Sequence, residues 1–299
     1  MSHQSRREFL KATAGGAAVI GASGGWSLAQ DRPAGRFAGD AIVTLGRTGI
    51  ETSRLAAGTG FEGYDRSSAQ TRAGKESFER LMRHAIDKGV QFIDMADLYG
   101  SHPFVAEVLR GLPREKFTLL SKIWPRKEKW VTPSGGAAEE IDRFRKELNS
   151  DVIDVCLIHC MLNDKWPSEY ERIRDELSDL KQKQTVRAVG VSCHDWGALE
   201  VAAEHPWVDV IFARVNHKGG AEYSCDNTPE EIARVLKKAR ANGKAVVGMK
   251  IFGAGKLVTP EEKDASLRFV FENGLVDAIT IGVTKPEQVD DTLARMAKI

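Results

Sequence analysis

A closed, parallel (β/α)8 barrel with a β-hairpin ahead of it is the fold class the sequence predicts. Two observations carry it: eight short apolar runs alternate with amphipathic segments, and strands alternating with helices in this way imply a parallel sheet. A third is the count: eight such units over about 270 residues fit one closed barrel, with an open doubly wound sheet as the runner-up.

Taken in order, the chain starts with Ser5-Arg6-Arg7-Glu8-Phe9-Leu10-Lys11, then a weakly apolar stretch from Ala12 to Gly25, then small residues at Ser27-Leu28-Ala29. This resembles a twin-arginine export signal, so residues 1–29 are expected to be a signal peptide, the export machinery a partner, and the mature chain periplasmic or otherwise exported. Gly15, Gly16, Gly21, Gly24 and Gly25 keep this stretch below the length and hydrophobicity of a membrane span, and no later run is apolar enough for stable insertion. Residues 30–41 are polar, with Pro33, Gly35 and Gly39, and read as a linker. The barrel unit is expected over 42–299.

Ile42 to Leu45, the turn Gly46-Arg47-Thr48-Gly49, and Ile50 to Leu55 read as a hairpin able to plug the barrel's amino-terminal mouth. The barrel strands are predicted at Leu55–Gly60, Gln91–Met95, Phe117–Ile123, Val152–Ile158, Val186–Ser192, Val208–Val215, Ala245–Ile251 and Ala278–Val283. Between them, Phe78, Leu81, Met82, Ala85 and Ile86 share one helical face, and Ile173, Leu177 and Leu180 another. Thr132-Pro133, Thr228-Pro229-Glu230-Glu231 and Thr259-Pro260-Glu261-Glu262 are helix starts: Thr caps, Pro suits the first position, and Glu complements the dipole.

Lys and Arg number 43 against 42 Asp and Glu, with no basic face evident, which argues against a nucleic-acid ligand. Loss of residues 1–29 would leave 40 basic against 41 acidic residues. An exported chain would carry Cys156, Cys160, Cys193 and Cys225 into an oxidising compartment. No C-x-x-C spacing points to a zinc ribbon or cluster; Cys160 and Cys193 both fall at strand ends, where a bridge between them is one option.

The chemistry concentrates at three successive strand ends. Phe92 to Gly100 delivers Asp94 and then Tyr99, Phe117 to Lys122 delivers Lys122, and Val152 to His159 delivers His159. Carboxyl ends of barrel strands gather at one face, so these four can share a pocket. A phenol with a pKa near ~10 is too weak an acid for proton donation at neutral pH. An ammonium about 4 Å away, at an effective dielectric of roughly 20, would favour phenolate by about 4 kcal/mol before desolvation opposes it. Asp94 would hold Lys122 charged, and His159 would donate to a substrate oxygen. The set suits protonation of a carbonyl oxygen as hydride arrives, or the reverse.

In order and placement, these residues resemble the Asp-Tyr-Lys-His tetrad of the aldo-keto reductases. Leu45-Gly46-Arg47-Thr48-Gly49 with Ser53-Arg54-Leu55 is similar to that family's opening hairpin and first strand, and Gly282-Val283-Thr284-Lys285-Pro286-Glu287-Gln288-Val289 to its cofactor-binding end. The resemblance covers about residues 42 to 298 and implies an NAD(P)-dependent oxidoreductase (NADP or NAD) acting on a small carbonyl or alcohol. It makes Tyr99 the general acid or base, tuned by Lys122 and Asp94, with His159 orienting the carbonyl.

The sequence departs from the family where many members hold nicotinamide. Ser-Asn reads Ser192-Cys193, the Gln of the sixth strand reads Phe212, and the stacking Tyr reads Met249. Phe212 and Met249 could still wall a flat ring. Lys250, Gly253, Gly255 and Lys256, with Thr284, Lys285 and Gln288, offer backbone and charge for the phosphates, and the family's frequent Asn near the adenine is Thr292. Trp124, Trp130 and Trp166 are candidates for a sugar or aromatic substrate pocket. Two other classes compete. His102, His159, Cys160, Cys193, His194, His217 and Cys225 raise a metal-dependent sugar isomerase or lyase, although no metal set is assigned. The altered nicotinamide contacts raise a low-turnover binding or sensing module.

Overall fold

The computed structural model describes residues 35–128 and 136–299. The signal-peptide reading of 1–29, the helix start at Thr132-Pro133 and Trp130 lie outside the described residues.

Strands β1 (Ile42–Thr44) and β2 (Glu51–Ser53) pair antiparallel, Ile42 opposite Ser53. At the hairpin turn Gly46 has φ +49°, and a Cβ there would meet the backbone nitrogen of Ala245 at 2.4 Å. Only glycine lets the turn sit this close to the start of a barrel strand. Leu45 and Ile50 are completely buried in the barrel's inner apolar cluster, so the hairpin does close the amino-terminal mouth.

Eight strands follow: β3 (Leu55–Gly58), β4 (Phe92–Asp94), β5 (Thr118–Ile123), β6 (Ile153–Met161), β7 (Val186–Cys193), β8 (Val210–Arg214), β9 (Ala245–Met249) and β10 (Ala278–Gly282). Neighbours in sequence pair in parallel, and β10 pairs with both β3 and β9, closing the barrel. The predicted strands are all present, with ends displaced by up to three residues, as strand ends fray into turns.

The helices are α1 (Ala69–Arg72), α2 (Lys75–Asp87), α3 (His102–Leu109), α4 (Ala138–Leu148), α5 (Trp166–Glu169), α6 (Glu171–Gln182), α7 (Trp196–Glu204), α8 (Pro229–Ala241), α9 (Pro260–Glu272) and α10 (Pro286–Met296). Thr228 and Thr259 accept from the backbone of Glu231 and Glu262, the caps expected from their sequence. Phe78, Leu81, Met82 and Ala85 bury one face of α2 against the barrel wall.

Strand alternation divides the core. Ala56, Phe92, Leu120, Val155, Leu157, Ala188, Val210, Ala245, Val247 and Ala278 fill the barrel interior, while the neighbouring positions pack outward under the helices. The linker reading fails for its described part: Ala38 is buried, Phe37 stacks on Phe271 with centroids 5.3 Å apart, and the Arg54 guanidinium donates to the carbonyls of Arg36 and Ala38. A composition rich in glycine hid one phenylalanine that anchors the segment.

Candidate active site

The same two-residue alternation builds the site. Asp94 lies two positions beyond Phe92, Lys122 two beyond Leu120, His159 two beyond Leu157, Phe212 two beyond Val210, Met249 two beyond Val247 and Thr280 two beyond Ala278. Each therefore faces inward one layer above the apolar filling, at the carboxyl ends of the strands. All six, with Tyr99 and Ser192, line one cleft of about 520 Å3, within the size range of cofactor and ligand sites.

Asp94 and Lys122 form a buried ion pair, and the ammonium also donates to the Met95 carbonyl at 2.9 Å. The second carboxylate oxygen of Asp94 accepts from Thr280 Oγ1 at 2.8 Å. Lys122 Nζ sits 4.9 Å from the centre of the Tyr99 ring and 5.1 Å from that of Phe212, a cation between two aromatic rings. Tyr99 Oη is 3.4 Å from His159 Nε2, and the rings meet edge-on.

The electrostatics correct one expectation. Burial, then the Asp94 charge, push the Tyr99 hydroxyl well above its ordinary pKa rather than below it. The reason is spatial: Lys122 is neutralised by Asp94, and burial also draws its own pKa down. Tyr99 is thus a protonated phenol. Burial and the charge of Lys122 hold His159 well below its usual value, so its imidazole is neutral. Its Nδ1 is buried without a hydrogen-bond partner. An orphaned lone pair costs less than an orphaned N–H, so the proton belongs on Nε2. Nε2–H then faces Tyr99 Oη, and the phenol proton remains free for a substrate oxygen.

Local irregularity aims these groups. The β6–β7 register shifts between Ile158 and Met161, and Cys160 takes a left-handed backbone at φ 65°. Bulges of this kind redirect a side chain. Ser192 Oγ accepts from the Cys160 N–H at 2.7 Å, and Arg126 Nη1 donates to the Cys160 carbonyl at 3.0 Å, which fixes the kink. On the other side, a Cβ at Gly60 would lie 2.4 Å, and one at Gly63 2.6 Å, from the Tyr99 ring. The phenol is clamped against two bare α-carbons.

Other predicted site residues divide. Met249, Lys250, Thr284 and Gln288 line the cleft. Gln288 Oε1 accepts from the backbone N–H groups of Thr284 and Lys285, fixing the turn into α10. Cys193 does not line it: one position past Ser192, it has outward parity and is buried under the helices. Gly253 is buried behind the cleft wall, which Ala254 and Gly255 form instead, and Lys285 starts α10 from the surface. Trp124 stands edge-on to His159 at 5.4 Å, behind the lining. Trp166 is fully buried against His205 and Trp207, a core residue and no part of a substrate pocket. All four cysteines are free thiols. Among the described residues, no three His, Cys, Asp or Glu gather to hold a metal ion, and His102 is engaged by Glu147 and Ser121.

Thr280, Gly60 and Gly63 escaped the sequence reading. Thr280 carried a signal, since it holds the inward parity of the last strand; the glycines carried none, because their contact with Tyr99 is tertiary. Against a nicotinamide dinucleotide the lining fits. Ser192 keeps its hydroxyl proton for an amide oxygen, Phe212 and Met249 supply an apolar wall, and the cleft runs on past Lys250 and Gly255 to the start of α10.

Comparison with known proteins agrees. A model of the Aldo/keto reductase family matches residues 55–269. Aldo-keto reductase YhdN of Bacillus subtilis is 28% identical over an alignment of 161 residues that covers 50% of this chain and 46% of that protein, so the match spans about half the length of that curated relative. A Pseudomonas aeruginosa structure assigned to the aldo-keto reductases superposes with a TM-score of 0.69 at 24% identity, covering 87% of this chain and 95% of that one. The aldo-keto reductase of Klebsiella pneumoniae in complex with NADPH superposes at 0.63 with 18% identity, covering 85% and 89%. Structural likeness at such identities speaks for the fold; the family match runs from the first barrel strand into α9, through every strand that carries the tetrad, and on that ground the chain belongs to the aldo/keto reductase family.

Proposed function

We propose that this protein is an NAD(P)-dependent oxidoreductase that moves hydride between a nicotinamide cofactor and a carbonyl or alcohol substrate. The observation that carries the reading is the meeting of Tyr99 Oη and His159 Nε2 at 3.4 Å beside the Asp94–Lys122 pair in one cleft. A nicotinamide nucleotide bound in the cleft supplies or accepts the hydride. Tyr99 gives its proton to the carbonyl oxygen, His159 Nε2–H orients that oxygen, and Lys122, tied to Asp94 and Met95, stabilises negative charge developing on the phenol.

The twin-arginine reading of residues 1–29 makes this an exported enzyme. Outside the cytoplasm no pool of reduced nicotinamide renews a cofactor, so the proposal includes a nucleotide loaded before export, held tightly, and recycled as a second substrate is oxidised. Two measurements test it. Protein purified without added nucleotide and then denatured should release close to one equivalent of NAD or NADP. Tyr99→Phe should lower the reductase rate by about 10²–10⁴-fold while nucleotide affinity is kept. A nucleotide dissociation constant weaker than tens of micromolar would count against retention through export. Phe212 and Met249, which cannot bond the nicotinamide amide, favour a second reading, a low-turnover ligand sensor; in that case Tyr99→Phe would leave the measured behaviour unchanged.

A further inference from the structure

The hydride-transfer reading fixes which way a dinucleotide lies: its reactive ring belongs at Tyr99 and His159, so its adenosine belongs at the other end of the cleft, formed by Thr284, Gln288, Asp291 and Lys263. The charges of that end are already matched. Asp291 pairs with Lys263 at 3.0 Å and with Arg295 at 2.9 Å, and Arg295 pairs again with Asp264 at 2.7 Å. The other lining cations, Lys122 and Lys250, act on His159 at the opposite end. Lys285 begins α10 from the surface and does not line the cleft. Burial opposes the charge of Asp291, but the bonds from Arg295 and Lys263 outweigh it and hold the carboxyl below the usual range, so it is ionised at neutral pH.

We propose that this end is built for an unphosphorylated adenosine ribose, so that the chain takes NAD in preference to NADP, with Asp291 setting the choice. A ribose diol needs hydrogen-bond acceptors, and an ionised carboxylate in the lining is one; acidic residues read the 2′-hydroxyl in this way in other dinucleotide sites. A 2′-phosphate brings close to two negative charges beside that carboxylate. To be neutralised it must draw Lys263 away from Asp291, which then keeps only Arg295 as partner and stands as a half-compensated negative charge beside the phosphate. Thr284, at the turn just before, adds a hydroxyl and no charge.

Titrating the purified protein, stripped of any bound nucleotide, with NAD+ and NADP+ by calorimetry tests this without an assay of turnover. NAD+ should bind at least about tenfold more tightly, a modest fraction of what one unscreened like charge at this range can impose. Asp291→Asn should shrink that ratio about tenfold, chiefly by tightening NADP+, and Thr284→Arg should tighten NADP+ independently. Equal or tighter binding of NADP+ by the unaltered protein overturns the preference, an Asp291→Asn ratio that does not move overturns its assignment to Asp291, and either leaves the oxidoreductase reading standing. Binding of neither nucleotide by folded protein overturns both.

Discussion

Tyr99 decides what the site does at a given pH, and its proton was the least legible part of the tetrad. Asp94, Tyr99, Lys122 and His159 could be found because each ends or follows an apolar strand. The protonation state could not, because it depends on Lys122 being neutralised by Asp94, on Thr280 reaching the same carboxylate from β10, and on burial. None of these is written near residue 99. The phenol donates only while protonated, and its pKa is raised, so loss of the donor lies far on the alkaline side. The His159 pKa is lowered, so no imidazolium forms near neutrality. The rate of carbonyl reduction should therefore be flat between about pH 6 and pH 9, with the alkaline limb that belongs to Tyr99 lying above that window. Asp94→Asn removes a charge that raises the Tyr99 pKa, so its alkaline limb should move to lower pH. A pH profile of kcat for both proteins decides it: an unmoved limb would mean that Asp94 does not act on Tyr99.

The elements that aim these groups are irregular where the sequence looks ordinary. The bulge after Ile158 puts a non-glycine residue, Cys160, in the left-handed region, and nothing in Ile-His-Cys-Met announces it. Cys193 and Trp166 were misread for a related reason: a thiol or an indole near a strand end is chemically suggestive, but one step of alternation puts Cys193 under the helices, and the first turn of α5 buries Trp166. The loop after β3 makes the sharpest demand. Gly60 and Gly63 leave no room for a β-carbon beside the Tyr99 ring, so Gly60→Ala must move the ring rather than the barrel. An error of about 1 Å in a reacting group can cost on the order of 10²-fold. Gly60→Ala should thus lower kcat by about 10–100-fold with nucleotide affinity and melting temperature nearly unchanged. A variant that keeps its full rate would show that the ring has slack.

The barrel separates stability from chemistry along its axis, and this division was the most legible feature of the chain. Alternation along eight strands fills the lower interior with Ala, Val, Leu and Phe and ends six of the series on a polar or adaptable residue at the top, with Gly58 and Phe212 ending the other two. The bottom is sealed by the hairpin, whose Leu45 and Ile50 are as completely buried as the strand residues they cover. Phe37, read only as part of a linker, packs instead into the outer layer under the helices by stacking on Phe271. A cavity cut at the sealed end should weaken the fold without reaching the cleft, because the packed side-chain layers lie between. Ile50→Ala removes a fully buried side chain from a site whose backbone is held on one side by the close approach of Gly46 to Ala245, so collapse into the void is restricted. The expected cost is about 2–5 kcal/mol in urea unfolding. Nucleotide affinity of the folded protein should stay within about twofold of its original value, as expected for sites far apart with no shared partners. A loss of affinity matching the loss of stability would instead mean that the barrel's two ends are coupled, and that the hairpin belongs to the binding machinery.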